Sequence, residues 1–126
     1  MTAKYILEFS IPALPKSPNQ LLGAHWTVRA NHAKRWERLV WGYVWPHKPK
    51  EPLKKAKVTF IRHSIRVMDA DNLRSSFKCV ADSLVKLGII ADDSMAVIGE
   101  PIVRHEKTKR KEQKITIKVE EICEGF

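Results

Sequence analysis

The apolar positions of this chain change period several times. Tyr5, Leu7, Phe9 and Ile11 alternate with Ile6, Glu8 and Ser10, which predicts a strand over Lys4 to Ile11 with one strongly apolar face. Pro12, Pro15 and Pro18 then break the pattern into a loop that ends Ser17-Pro18-Asn19. From Trp26 to Val44 the spacing becomes helical. Ala33, Trp36, Val40 and Tyr43 trace one face, and His25, Arg29, His32, Lys34, Arg35 and Arg38 make a basic side. A loop rich in Pro and Lys follows, from Pro46 to Pro52. Lys54 to Ile65 reads as a strand with Val58 and Phe60 on one face and Ile61 and Ile65 on the other, as expected of a central strand. It runs on through Val67 and Met68 and delivers Asp69.

Leu73, Phe77, Val80, Leu84 and Leu87 recur at spacings of four, three, four and three, which predicts the clearest helix of the chain. Asp71 and Asn72 are candidate N-caps, and Gly88 is a candidate C-cap. Met95 to Val103 and Lys114 to Ile122 read as the two strands of a hairpin. In the second, Ile115, Ile117 and Val119 alternate with Thr116, Lys118 and Glu120. Their connection, HEKTKRKEQK, is a charged tip that carries Lys107, Lys109, Arg110 and Lys111 beside the strand expected to begin at Asp93. The order β-α-β-α-β-β predicts one α/β domain over residues 1–126, a mixed sheet with helices packed on it.

Composition narrows the partner more than the fold. The chain has 126 residues, 44% hydrophobic and 29% charged, an ordinary balance for a soluble globular protein with a real core. No apolar run approaches the ~18 residues of a membrane span, and no signal-peptide pattern is read, so a cytoplasmic location and no membrane partner are expected. Two cysteines, Cys79 and Cys123, make no disulfide framework. A formal charge of +9 favours a polyanionic partner. No amphipathic segment has the strongly apolar face flanked by Lys and Arg that lies on a membrane, which leaves nucleic acid as the expected partner.

Four of the fourteen acidic residues of this basic chain sit at the two ends of the Leu73–Leu87 pattern, Asp69 and Asp71 before it, Asp92 and Asp93 after it. In an extended segment Asp69 and Asp71 point the same way, and two such carboxylates repel unless a cation sits between them. Mg²⁺ suits oxygen donors of this kind and binds through one or two carboxylates plus substrate phosphate. Asp92 or Asp93 would add a third carboxylate if the strand after the helix lies beside the strand before it. A structural reading stays open, in which Asp71 caps a helix and the pair fills a polar turn. Trp26, Trp36, Trp41 and Trp45 cluster in and around the basic helix, where they could meet bases or phosphates. Trp36 is expected in the core, and His25 and His32 at the surface.

The motifs D-A-D-N-L, F-K-C-V-A-D-S-L and G-I-I-A-D-D-S, spanning Asp69 to Ser94, resemble the RusA family of Holliday junction resolvases of bacteria and their phages. The resemblance extends more weakly to the N-terminal strand, the Pro/Ser/Asn loop and the closing strands. It implies a homodimeric, Mg²⁺-dependent endonuclease that cuts four-way DNA junctions in recombination and repair, in a bacterial cell or encoded by one of its phages. By position, Asp69, Asp71 and Asp93 resemble the family's metal-binding carboxylates, with Asp92 beside them, and Lys78 resembles its active-site lysine. Arg66, Arg74, Lys107, Lys109, Arg110 and Lys111 are the expected DNA contacts. In the family's shortest pattern the lysine stands four residues after the second Asp, whereas Lys78 stands seven after Asp71. The extra residues, Arg74-Ser75-Ser76, add nearly one helical turn, ~4.5 Å of rise. Either they form a loop before the helix or Arg74 supplies the cation. A nuclease for other branched DNA and a non-catalytic basic DNA-binding module remain as alternatives.

Overall fold

The computed structural model describes residues 5–122, so Lys4 and Cys123 lie outside the described residues. The elements are β1 (Ile6–Ile11), α1 (Trp26–Val44), β2 (Ala56–Ser64), α2 (Ala70–Ser76), α3 (Lys78–Lys86), the single turn α4 (Met95–Ile98), β3 (Ile102–Lys107) and β4 (Lys114–Glu121). The four strands form one mixed sheet in the order β1-β4-β2-β3. β4 runs antiparallel to both β1 and β2, and β3 runs parallel to β2. The result is a small α/β domain, as the period changes predict.

Burial alternates along the three strands of the sheet interior and its first edge. Leu7, Phe9 and Ile11 of β1, Ala56, Val58 and Phe60 of β2, and Ile115, Ile117 and Val119 of β4 share a core with Trp36, Val40 and Val44 of α1 and with Leu73, Phe77, Val80 and Leu84 of α2 and α3. The helices therefore cover one face, and the other face carries the polar half of each alternation. On that open face, Thr116 Oγ1 lies 2.9 Å from Ser10 Oγ and 3.0 Å from His63 Nε2, and His63 Nδ1 lies 3.3 Å from Glu106 Oε2. Polar contact thus crosses all four strands. β2 is central, as its two apolar faces predict, and α1 spans the residues that the helical spacing marks out.

Three expectations need correction. First, β3 and β4 are not a hairpin, because β2 lies between them. The Lys-rich connection instead crosses the end of β2, where Thr108 N donates to Ser64 O and Ile65 N donates to Gln113 Oε1. Two alternating segments joined by a polar tip look the same in sequence whether they pair with each other or with a third strand between them. Second, Met95 to Ile98 is a helical turn, not the start of a strand. Val97 N and Ile98 N both donate to Ser94 O, and Gly99, at φ 60° and ψ −149°, ends the turn in a conformation that suits glycine alone.

Third, the Leu73–Leu87 helix is two helices. At Phe77 the backbone tightens, with Phe77 N donating to Arg74 O, and α3 restarts at Lys78. Serine hydroxyls occupy carbonyls on both sides of this point: Ser75 Oγ donates to Asp71 O and Ser76 Oγ to Leu73 O, each at 2.7 Å. Such back-bonding bends helices. The apolar face survives because Phe77 stays inward, stacked on Phe60 with ring centroids 4.9 Å apart. Gly88 does end the helix as expected: Gly88 N donates to Val85 O and Ile89 N to Leu84 O, the paired bonds of a Schellman turn, with φ 78° at the glycine.

Phe77→Ala should cost about 3–5 kcal/mol, the range for emptying a buried aromatic site. Urea unfolding of the variant measures it, and a loss under about 1 kcal/mol would mean that the stack does not hold the break.

Candidate active site

The end of β2 and the start of α2 determine where the first carboxylates lie. Asp69 is extended and caps α2, its Oδ1 accepting from Asn72 N at 2.9 Å. The N-cap is therefore Asp69 and not Asp71 or Asn72, because the helix begins two residues earlier than its apolar positions show. Asp69 and Asp71 are consequently joined by the opening of a helix, not spaced along one side of a strand. Asp71 falls in the first turn, where the helix dipole favours a carboxylate. It is exposed and opens on a recess of about 310 Å³ shared with Arg74 and Val103.

The second pair of carboxylates follows α3. Asp93 is half-buried and Asp92 is exposed. Lys78, the first residue of α3, lies between Asp93 Oδ2 at 3.8 Å and Asp82 Oδ1 at 3.6 Å. A pair this long and this exposed adds little stability, so its interest is the placement of charge. Arg74 is drawn elsewhere, into an ion pair with Glu100. The extra residues Arg74-Ser75-Ser76 thus form neither a loop nor a cation beside Asp93. They finish α2, and the break after them lets Lys78 begin a new helix facing Asp93. Lys78, Arg74 and Asp93 line a recess of about 290 Å³, which shares Arg74 and Val103 with the recess at Asp71.

Among the described residues no group of three or more His, Cys, Asp or Glu is gathered closely enough to hold a metal ion. Asp69, though exposed, is engaged by its cap, and Asp93 faces Lys78. The donors that remain suit Mg²⁺ in its sparser form, in which one or two carboxylates and several waters hold the ion until phosphate joins them. Asp71 is the carboxylate best placed for this, since its side chain caps nothing, and Asp93 opens on the adjoining recess.

The loop after β1 belongs to the same region. Asn19 Nδ2 donates to Asn72 Oδ1 at 2.6 Å, which ties the Ser17-Pro18-Asn19 stretch to the D-A-D-N motif. The loop is held from below by Arg62, 8% exposed on the core side of β2, whose Nη1 donates to Pro15 O at 3.1 Å. Burial lowers the pKa of this guanidinium, yet a guanidinium stays charged in proteins. Lys16 N donates to His32 Nε2, so this half-buried ring at the surface of α1 accepts from the loop. Burial, with Lys16 and Arg35 nearby, lowers the His32 pKa and favours the neutral acceptor form. Sequence reading missed Arg62. Its signal was a charged residue at an inward position, two after Phe60 on the same face.

Arg66, Lys107, Lys109, Arg110 and Lys111 are all exposed. Lys107 ends β3, and the last three lie on the connection that crosses the end of β2, the end from which the chain runs through Arg66 to Asp69. Trp36 is buried as expected, whereas Trp26, Trp41 and Trp45 are exposed. No protein-family model matches the chain, and no curated protein matches it.

Cys79 adjoins Lys78, and its burial disfavours the thiolate that a nucleophile needs. Burial pushes its thiol up to about 12, against smaller lowering by backbone hydrogen bonds. In a Cys123→Ser background, alkylation of Cys79 by iodoacetamide at pH 8 should run roughly 10³-fold slower in the native protein than in urea, because the thiolate is the reacting species. Equal rates would show that Cys79 is open to solvent.

Proposed function

We propose that this chain is a Mg²⁺-dependent endonuclease that hydrolyses phosphodiesters in branched DNA, four-way junctions above all. The observation that carries the reading is Lys78 Nζ set 3.8 Å from Asp93 Oδ2 beside a recess that adjoins the one at Asp71. A basic binder of phosphates gains nothing from carboxylates gathered round a lysine. A hydrolase does, because the same small region must hold a cation and neutralise a phosphate. The net charge of +9 supports a polyanionic substrate, and the resemblance of Asp69 to Ser94 to junction resolvases supplies the reaction.

Asp71, which is neither a cap nor an ion-pair partner as Asp69 and Asp93 are, would hold Mg²⁺ with water and substrate phosphate. Bound there, the ion supplies Lewis acidity, which activates water and neutralises charge on phosphate. Lys78 stabilises the charge that builds on the phosphate oxygens as the bond breaks. Asp82 and Asp93 keep its ammonium pointed at the recess before substrate arrives. Asn72, held by Asn19, fixes the turn from which Asp71 projects. Arg66 and the Lys107–Lys111 connection grip the backbone of one arm without reading sequence. Two cuts across a four-way junction suit a homodimer. Among the described residues no helix is long and apolar enough to cross a membrane, and the proposed setting is the bacterial cytoplasm.

The test is incubation of a labelled four-way junction, and of a linear duplex of the same sequence, with and without Mg²⁺. Cleavage of the junction alone, and only with Mg²⁺, is expected. Binding without cleavage would leave a DNA-binding module whose aspartates are caps and turns. Asp71→Asn should stay folded, bind the junction at least as tightly as the parent and lose nearly all cleavage. Retained cleavage would remove Asp71 from the chemistry.

The two candidate cations separate by substitution. Lys78→Ala should lower the cleavage rate by about 10²–10³-fold, the usual effect of losing one donor to transition-state charge, with junction affinity little changed. Arg74→Ala, which only breaks the ion pair with Glu100, should keep most of the rate. The reverse ranking would move the catalytic cation to Arg74.

A further inference from the structure

A groove of about 470 Å³ runs between α1 and α3, from the loop after β1 to the Lys78–Asp93 pair. Its charges are not evenly spent. At the α3 end, Asp82 and Asp93 face Lys78, and Glu37 faces Lys86 at 3.7 Å. At the other end Lys16 and Arg29 are both exposed, and among the described residues neither has a carboxylate within 4.0 Å. Two cations without counter-ions therefore line one end of a groove whose other end adjoins the candidate active site. The backbone of Lys16 is held by His32, so its side chain starts from a fixed point.

The same end carries an exposed aromatic ring. Trp26 is 66% exposed and Leu22 82% exposed. Trp26 stands three residues before Arg29 and seven before Ala33, both of which line the groove, so all three fall on one stripe of α1. A large apolar ring left in solvent one turn from Arg29, at the groove end that Lys16 also lines, is the combination that binds single strands, where bases stack on aromatics and phosphates follow positive charge.

We infer that the groove between α1 and α3 seats an unpaired DNA strand leading away from the branch point, its phosphates on Lys16 and Arg29 and a base on the ring of Trp26. This inference rests on the proposed branched-DNA substrate and extends it to branches with a single-stranded arm, since the arms of a closed four-way junction are fully paired. Duplex arms do not fit the role, because a paired base offers no free face to stack. The strand that leaves the groove at Lys78 is the one presented for cutting.

Fluorescence anisotropy with a labelled 12-nucleotide thymidine strand, and with a duplex of equal length, tests this in EDTA, where nothing can be cut. Trp26→Ala should weaken single-strand binding by about 5- to 150-fold, the range for losing one stacked base, and leave duplex binding within a factor of two or so. Trp26→Phe should keep most of the affinity. The double variant Lys16→Ala with Arg29→Ala should lower the salt slope of single-strand binding by about 1.4, two phosphates at about 0.7 each. Unchanged single-strand binding in Trp26→Ala would overturn the inference. So would a shift of the free variant from dimer to monomer in sedimentation, which would mean that a second copy covers the ring. Both outcomes are read without cleavage, so a parent protein that fails to cut junctions would sink the nuclease reading and leave this one standing.

Discussion

The stack of Phe77 on Phe60 is the contact on which the rest of the arrangement depends. Phe60 sits in the central strand, and Phe77 sits at the single point where the long apolar pattern changes helix. Because the ring is fixed to the sheet, the chain on either side of it is fixed too. Residues before it end in the Arg74–Glu100 pair at the surface, and the residue after it, Lys78, opens α3 facing Asp93. A straight helix through the same residues would have kept the apolar stripe and given Lys78 a different direction. The serine hydroxyls at Ser75 and Ser76 make the break tolerable by giving backbone carbonyls a second donor.

A second constraint works from the sheet outward. Arg62 occupies an inward position of β2 where an aliphatic residue would pack without cost, and it spends one donor on Pro15 O. Its Nε has no protein partner, so burying the arginine carries a desolvation cost that the one bond to Pro15 offsets only in part. What it secures is the loop after β1, which then reaches Asn72 through Asn19 and α1 through Lys16 and His32. The loop, the D-A-D-N turn and the basic helix thus become one surface. The groove beside Lys78 exists because three segments far apart in the chain are tied at these points.

The charge of the molecule is likewise organised by connections rather than by elements. The acidic residues at the candidate site stand where β2 meets α2 and where α3 leaves for β3. The Lys107–Lys111 run crosses the end of β2 near the first of these joints. Loops on a rigid frame are where binding residues collect, and here one end of one central strand brings both signs of charge close together.

The sequence by itself determined the secondary structure over most of the chain. It marked the limits of α1, the central place of β2, the glycine turn after α3 and the buried Trp36. Each of these follows from local periodicity or from one residue's backbone preference, which act whatever the partner. It also located the aspartates at joints between elements. Tertiary structure alone decided that β4 pairs with β2 and β1 and not with β3, that the helix breaks at Phe77, that Lys78 and not Arg74 faces Asp93, and that the loop after β1 docks on Asn72. The physical reason is common to all four. Periodicity tells a residue which side of its element is buried, and the identity of the neighbour across the gap is settled only when segments distant in the chain compete for the same surface.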